Sequence, residues 1–507
     1  MYKDIDKQMN EMKKKTKSLC PQCLKVIDAE IYESDGKILI KKKCEEHGEF
    51  EDTYWSDAEL YHKFANWQYE GNAGITLTKT EKGCPFDCGL CPEHKSSTML
   101  AIIDLTNRCN QHCPTCFANA AVAGYLYEPT MEQLEEMMKL LRSEVPPCPA
   151  VQFAGGEPTV RENFVDIVKM ARKIGFSHVQ VATNGIALAK SEQFCRDLVE
   201  AGLHTVYLQF DGMTDEPYKV LRGIPALNTK LKAIENCRRG GLRSVVLVPT
   251  LMKGVNDHQI GDIARFVAKN LDVVRGMNAQ PVSFEGRVDE SERKERRLTI
   301  PDFIKCLEEQ TDGQIPRESF YPVPFVVPFS YFVEAWKGIP QLEFTVHPHC
   351  GAGTYVFADG GKFTPITEFV DVEGLMEFLL EGAEEIKKSR IGKLKTAAKL
   401  LTSGGKFIDH AKAPPEFAKN IRVLTGILEK GSRDALAEFH RKTLYVGVMH
   451  FQDAFNFDLE RVKRCGIHYA TPDGRIIPFC SYNAIHRSSV EKAFSVPLRK
   501  QNSDATY

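Results

Sequence analysis

Nowhere does the chain hold an apolar run of the ~20 residues needed to span a bilayer. The nearest approach, residues 320–336 (FYPVPFVVPFSYFVEAW), is broken by three prolines. The N-terminus, MYKDIDKQMNEMKKKTKS, lacks the apolar core of a signal peptide and is polar and lysine-rich. Charge of one sign is also missing. Lys and Arg number 66 and Asp and Glu 68, a formal net charge of −2, which argues against a nucleic-acid partner. The sixteen cysteines do not form the even framework of a small disulfide-bonded secreted chain; they fall in short-spaced groups, which favours metal ligation. These absences lead to the expectation of a cytoplasmic, oxygen-sensitive protein, peripheral at a membrane where it touches one. With 26% charged and 43% apolar residues it has the composition of a globular chain, and 507 residues suffice for two to four domains.

What is present is chiefly cysteine chemistry. Cys109, Cys113 and Cys116 form C-x3-C-x2-C directly after an apolar strand-like run, Met99 to Leu105. Three soft thiolates in one loop can hold three irons of a [4Fe–4S] cluster, and no local cysteine serves the fourth. An open iron is a place to bind and activate a small molecule. The bland alternative is a zinc knuckle. The pattern resembles the signature of the radical S-adenosylmethionine (SAM) superfamily, which implies a [4Fe–4S] cluster that binds SAM.

Other cysteines group elsewhere. Cys20 and Cys23, with Cys44 and His47 after a strand-like stretch, can close one tetrahedral site of zinc-ribbon or rubredoxin type, holding zinc or a single iron. Cys84, Cys88 and Cys91 repeat the C-x3-C-x2-C spacing and are expected to hold an auxiliary cluster; the alternative is a zinc site completed by His94. Cys350, Cys465 and Cys480 come from distant Gly-, Pro- or His-rich contexts and make a third candidate cluster. One or two auxiliary [4Fe–4S] clusters are therefore expected. Cys195, Cys237 and Cys306 sit on helical patterns and read as small core residues. Cys148 is ambiguous.

From Met99 to about Arg287, six strand-like runs alternate with periodic helical stretches. Six βα units imply a parallel sheet with right-handed crossovers, too few for a closed eight-stranded barrel. The expected fold is α/β: a partial (β/α)6 barrel over 99–287, preceded by a metal-binding ribbon over 1–70 and an auxiliary-cluster segment over 71–98. A C-terminal auxiliary-cluster and substrate domain over 288–507 would follow. Strand ends supply the candidate SAM contacts. Gly155, Gly156, Glu157 and Pro158 end the second strand, where glycines let backbone approach a ligand and Glu157 would meet the SAM amino group. Thr183 and Asn184, then Gln209 and Asp211, end the next two and suit ribose hydroxyls and the methionine carboxylate; Asn256 is placed near adenine. For these, ordinary loop chemistry is the competing reading.

A basic segment from Lys387 to Lys412 places Ile391, Leu394, Ala398 and Leu401 on one helical face. Such a helix suits an anionic membrane surface or is a solvated face. Together CPQC…CEEHGEF, CPFDCGLCPEH, TNRCNQHCPTCFAN, FAGGEPT, QPVSFEGR, HPHCGAGTYVF and PFCSYN make the whole chain resemble the archaeal tetraether lipid synthase group. That resemblance implies carbon–carbon bond formation between the terminal carbons of isoprenoid chains, an archaeol-type phospholipid substrate, and a low-potential electron donor of ferredoxin or flavodoxin type. A methyltransferase acting on a pterin is the alternative within the same wider group.

Overall fold

The computed structural model describes residues 13–414 and 443–497. Its N-terminal part is a four-stranded antiparallel meander, β1 (Lys13–Leu19), β2 (Val26–Ser34), β3 (Lys37–Cys44) and β4 (Gly48–Trp55). The two-residue period is clear in β3, where Ile38, Ile40, Lys42 and Cys44 are buried and their neighbours are not. Lys42 occupies a position where an apolar residue would be expected. Its ammonium donates to Ser18 Oγ at 2.9 Å and to the Ala454 carbonyl at 2.6 Å, tying the ribbon to the far end of the chain. Tyr54, Trp55 and helix α1 (Ala58–Ala65) enter the same core as the main sheet, so the ribbon is fused to it.

Next in the chain come β5 (Leu100–Thr106), β6 (Tyr125–Tyr127), β7 (Ala150–Gly155), β8 (His178–Thr183), β9 (Thr205–Gln209), β10 (Val245–Val248), β11 (Thr250–Leu251) and β12 (Val274–Pro281). Strands β5, β7, β8, β9, β10 and β12 pair in parallel in that order, the expected six. Their apolar residues pack in the core, while Gln152, Gln180, Tyr207, Asn278 and Gln280 on β7, β8, β9 and β12 face a cavity. The crossovers carry α2 (Met131–Arg142), α3 (Phe164–Ile174), α4 (Ile186–Lys190), α5 (Glu192–Ala201), α6 (Glu216–Arg222), α7 (Leu227–Gly240) and α8 (Ile260–Lys269). Thr130 and Gln133 form a reciprocal capping box at the start of α2, and Gly175 and Gly202 close α3 and α5 in the left-handed conformation.

The sheet does not stop at six strands. The C-terminal region adds β13 (Tyr321–Pro322), β14 (Gly351–Asp359), β15 (Lys362–Pro365), β16 (Leu444–Met449), β17 (Ile467–Ala470) and β18 (Ile476–Pro478). Strand β16 lies parallel to β12, and β17 lies parallel to β5, so both edges of the barrel are extended from the same late part of the chain. β13 and β18 stand at opposite ends of the strand order, and the sheet remains an open, partial barrel.

Two sequence expectations about membranes change here. The proline-broken stretch contains a helix, Val327–Lys337, whose Phe332 packs with Leu379 and Ala383 in an internal cluster. No helix of the described residues is long and apolar enough to cross a membrane. The basic segment does form a helix, Arg390–Ser403, but it docks through Gly392 and Thr396. The small Gly392 lets it close on its neighbour, since a Cβ there would lie 1.9 Å from the Glu385 carbonyl oxygen. Ile391, Leu394 and Ala398 of the anticipated apolar face are exposed, and the side chain of Leu401 lies outside the described residues. Lys399 pairs with Glu385 and Lys393 reaches the Trp336 carbonyl, so part of the basic charge ties the helix to the protein.

Candidate functional site

The C-terminal strand ends surround a cavity of about 390 Å³. Cys109, Cys113 and Cys116, on the loop after β5, line one side of it. Burial pushes the Cys109 thiol up to about 12 and raises Cys113 as well. A buried thiol resists ionisation until a cation arrives, and metal coordination removes its proton. Three soft donors on one loop, facing one cavity, therefore fit an iron–sulfur cluster.

The loop is held from a place that motif reading did not identify. The Arg287 guanidinium donates to the Cys113 carbonyl at 3.2 and 3.1 Å and to the Ala120 carbonyl at 2.8 Å, and the Arg287 N–H donates to the Cys116 carbonyl at 3.0 Å. Gly286 precedes it with φ +66°, and a Cβ there would lie 2.4 Å from the Cys116 carbonyl oxygen. The QPVSFEGR motif thus closes on the cysteine loop from the far side of the barrel. Only that motif's presence in the sequence signalled it.

The second strand end, whose Gly155, Gly156 and Glu157 all line the cavity, also braces the cysteine loop. Gly155 and Gly156 line the cavity, but what their missing Cβ atoms permit is contact with the cysteine loop. A Cβ on Gly155 would lie 2.3 Å from the Thr106 carbonyl oxygen, and one on Gly156 2.2 Å from that of Arg108. The Glu157 carboxylate is engaged by its own chain: Oε1 accepts from Thr159 and from Thr183 Oγ1 at 2.8 Å, and Oε2 from the Asn184 N–H at 2.7 Å. It joins the β7 end to the β8 end. Thr183, Asn184 and Gln209 line the cavity; Asn184 Nδ2 also donates to Asn110 Oδ1 at 2.7 Å, reaching the cysteine loop.

Three expected SAM contacts are corrected: Pro158, Asp211 and Asn256 are not among the residues lining the cavity. Pro158 begins a short 3-10 turn turned into the protein. Asp211 is fully buried in a two-bond ion pair with Arg222, Nε and Nη2 each 2.7 Å from a carboxylate oxygen. Arg222 also donates to Thr250 Oγ1 at 2.8 Å. Asn256 accepts from the Met252 N–H and donates to the Asp211 and Thr250 carbonyls, stitching β9 to β11. Arg222 itself lines the cavity; burial disfavours its charge, but Asp211 outweighs this and holds it firmly protonated. Lys230, absent from the sequence reading, is fully buried and donates to the Asn184 carbonyl at 2.6 Å and to Gln209 Oε1 at 2.9 Å. Burial lowers it to about 8.

The cavity's inner floor is amide-rich. Gln180 Nε2 donates to Gln152 Oε1 at 2.6 Å, and the Tyr207 hydroxyl accepts from Asn278 and from Gln280, the latter at 3.2 Å. All five of these residues, and Glu285, line the cavity.

At the ribbon, Cys20, Cys23, Cys44 and His47 bring four ligand atoms within 4.8 Å of one another. His47 Nδ1 lies 3.4 Å from Cys44 Sγ and 3.6 Å from Cys20 Sγ, a donor set for one tetrahedral ion. Cys84 and Cys88 are neighbours, the Cys88 thiol disfavours ionisation of Cys84, and burial raises Cys91. Ser481 donates to Cys88 Sγ at 3.2 Å. His94 does not complete that group: its Nε2 lies 2.9 Å from the Cys465 carbonyl and 3.0 Å from His468 Nε2. Cys350, Cys465 and Cys480, from distant segments, lie near enough for their charges to interact, but among the described residues only the ribbon's four ligands stand within 4.8 Å of one another. Burial and then the neighbouring thiol raise Cys465, to about 12, and Cys480. Arg461 Nε donates to Cys350 Sγ at 3.4 Å. Cys148, Cys195 and Cys237 are buried core residues, and Cys306 packs against the same core.

Residues 103–267 match the radical SAM superfamily, and residues 12–56 match the HMPTM N-terminal zinc ribbon domain. A 7,8-dihydro-6-hydroxymethylpterin dimethyltransferase from Methanocaldococcus jannaschii is 55% identical over 492 residues, covering 96% of this chain and 97% of that protein. A probable GTP 3′,8-cyclase from Thermococcus kodakarensis is 32% identical over 167 residues, 33% of this chain and 52% of that one. Among solved structures, Streptococcus suis SuiB is 15% identical with a TM-score of 0.36, covering 43% of this chain and 47% of that chain. The first of these relatives overturns the lipid reading. Carbon–carbon coupling of archaeol-type phospholipids was inferred from a resemblance and a basic helix; the near full-length relative acts on a pterin, the alternative within that same group.

Proposed function

The chain belongs to the radical SAM superfamily, in the family of the 7,8-dihydro-6-hydroxymethylpterin dimethyltransferase, and from that premise we propose that it transfers methyl groups to a reduced pterin. The observation that carries this reading is the 55% identity across 96% of the chain. The amide-rich floor of the cavity supports it, because amide donors and acceptors suit a small polar heterocycle.

Cys109, Cys113 and Cys116 would hold the [4Fe–4S] cluster, and Thr183, Asn184 and Gln209 would face SAM at the strand ends. When bound, this cluster supplies one-electron reductive cleavage of the SAM sulfonium, the entry to radical chemistry at an unactivated carbon. The chain's own residues set the stage for it. Arg287 fixes the cysteine loop, Glu157 and Lys230 fix the strand end at Asn184, and the Arg222 cation stands beside the thiolates. Cys20, Cys23, Cys44 and His47 would hold one zinc ion. The triplets Cys84, Cys88, Cys91 and Cys350, Cys465, Cys480 would hold auxiliary clusters. A low-potential ferredoxin or flavodoxin would supply electrons.

The methyl source is a second SAM or a folate, so the test is anaerobic turnover of the iron-reconstituted full chain with reductant, excess SAM, a methylene-bearing reduced folate and 7,8-dihydro-6-hydroxymethylpterin, followed by mass spectrometry. Pterins carrying one and then two added methyl groups are expected, with 5′-deoxyadenosine. Reductive SAM cleavage with the pterin recovered unmethylated would overturn the reading.

A further inference from the structure

Asn278 and Glu285 stand out on the cavity floor because each presents a polar atom that the protein leaves unanswered. Asn278, on β12, is 8% exposed; its Nδ2 donates to the Tyr207 hydroxyl, while its Oδ1 is buried with no partner. Glu285, four residues past the end of β12, has Oε1 sealed from solvent and likewise unpartnered. Burial, with the nearby Asp453 charge, drives its acid well above the usual carboxylate range. Among the described residues, the cation whose charge acts on it is Arg487, and that guanidinium is committed to Asp104, Glu491 and Asn483. A buried acceptor without a donor is costly, so two of them lining one cavity call for donors from a ligand.

We propose that Asn278 and Glu285 together read the amino-amide edge of the pterin, accepting hydrogen bonds from its 2-amino group and ring N3–H, and so determine which heterocycle binds. The inference rests on the pterin reading above. The 2-amino and N3–H groups of a pterin are adjacent donors in one plane. Glu285, held protonated by burial in the free protein, would release its proton to solvent as the pterin binds, and the carboxylate then meets this edge with two parallel bonds, as it meets a guanidinium. A buried amide oxygen can take the remaining amino hydrogen. Of the other floor residues, Gln152 Oε1 already accepts from Gln180 Nε2, and neither Gln180 nor Gln280 is among the described residues with a buried, unpartnered oxygen. A site built to answer donors rejects an analogue that lacks them, because its acceptors stay unpaired.

The test compares binding of 6-hydroxymethyl-7,8-dihydropterin with that of its lumazine counterpart, in which an oxo group replaces the 2-amino group. It uses the full-length, cluster-loaded protein without reductant. The wild type should bind the pterin about 10–100-fold tighter. Glu285→Gln, which offers a donor where an acceptor is needed, should bring that ratio close to one while the Kd for SAM is unchanged. Should Glu285→Gln lose SAM binding, Asn278→Ser decides by the same ratio, with at least a threefold fall expected. Wild-type protein that binds neither heterocycle would overturn the pterin reading itself. Wild-type protein that prefers the pterin, with variants that keep the full preference, would overturn this inference alone; so would a wild type that does not discriminate.

Discussion

A Cβ on Gly156 would sit 2.2 Å from the carbonyl oxygen of Arg108, the residue before Cys109. The glycine is thus needed for the cysteine loop to lie against the end of β7. Gly156→Ala should push Arg108 and Cys109 outward and misplace one donor of the cluster. The expected outcome is reconstituted protein with about four fewer irons per chain, one [4Fe–4S] cluster's worth, and no 5′-deoxyadenosine. An iron count equal to wild type would show that the loop can yield without losing its geometry.

Asp211 and Arg222 form a buried pair, with side chains 0% and 8% exposed. Removing one partner leaves an uncompensated charge out of water, at a cost of about 3–5 kcal/mol. Asp211→Asn should lower stability on that scale in anaerobic urea unfolding. Asp211→Leu combined with Arg222→Met should recover much of it. Equal losses in the single and double variants would mean that packing, not charge, dominates here.

The ribbon's four ligands are independent of the barrel cavity. Cys23→Ser should remove one zinc per chain, read by elemental analysis, with the iron content unchanged. Simultaneous loss of iron would show instead that the ribbon site is needed to load the clusters.

Glu144 supplies a pH test. Burial raises it to about 7 from 4.5, against a weak bond from the Thr98 N–H at 3.3 Å. The folded state therefore holds the proton more tightly than the unfolded chain. The resulting stabilisation is fully present below about pH 4.5 and is lost as pH rises through about 7, a span of about 3 kcal/mol. Glu144→Gln mimics the protonated acid and should flatten that part of the stability–pH curve. A slope between pH 5 and 7 identical to wild type would assign the titration to another group.

The parallel sheet was legible in the sequence because its signals are local. Six strand-like runs alternate with periodic helical stretches, and helices such as α3 and α5 fill the crossovers. The ribbon ligands were legible because C-x2-C and C-x2-H spacing fixes two halves of one tetrahedron. What could not be read was partnership across the chain. Nothing near Arg287 says that its guanidinium will land on the Cys113 carbonyl, and nothing near Lys230 points to Asn184. Asp211 and Asn256 looked like ligand contacts because polar residues at strand ends so often are. Their side chains instead meet partners supplied by neighbouring turns. The substrate was misread for a related reason: Ile391 and Leu394 share a helical face, but periodicity does not say which face docks.

Strand β5 leads straight into the cysteine loop, and its outer neighbour is β17, where Leu100 faces Ile467 and Ala101 faces His468. The order of synthesis is therefore an order of enclosure. While the chain is being made, the edge of β5 stays unpaired, and Cys109, Cys113 and Cys116 remain without the wall that Phe479 and its neighbours later provide. At about 5–20 residues per second, the ribosome holds that state open for on the order of tens of seconds. The loop that carries the three cysteines is thus made well before the strands that wall it in.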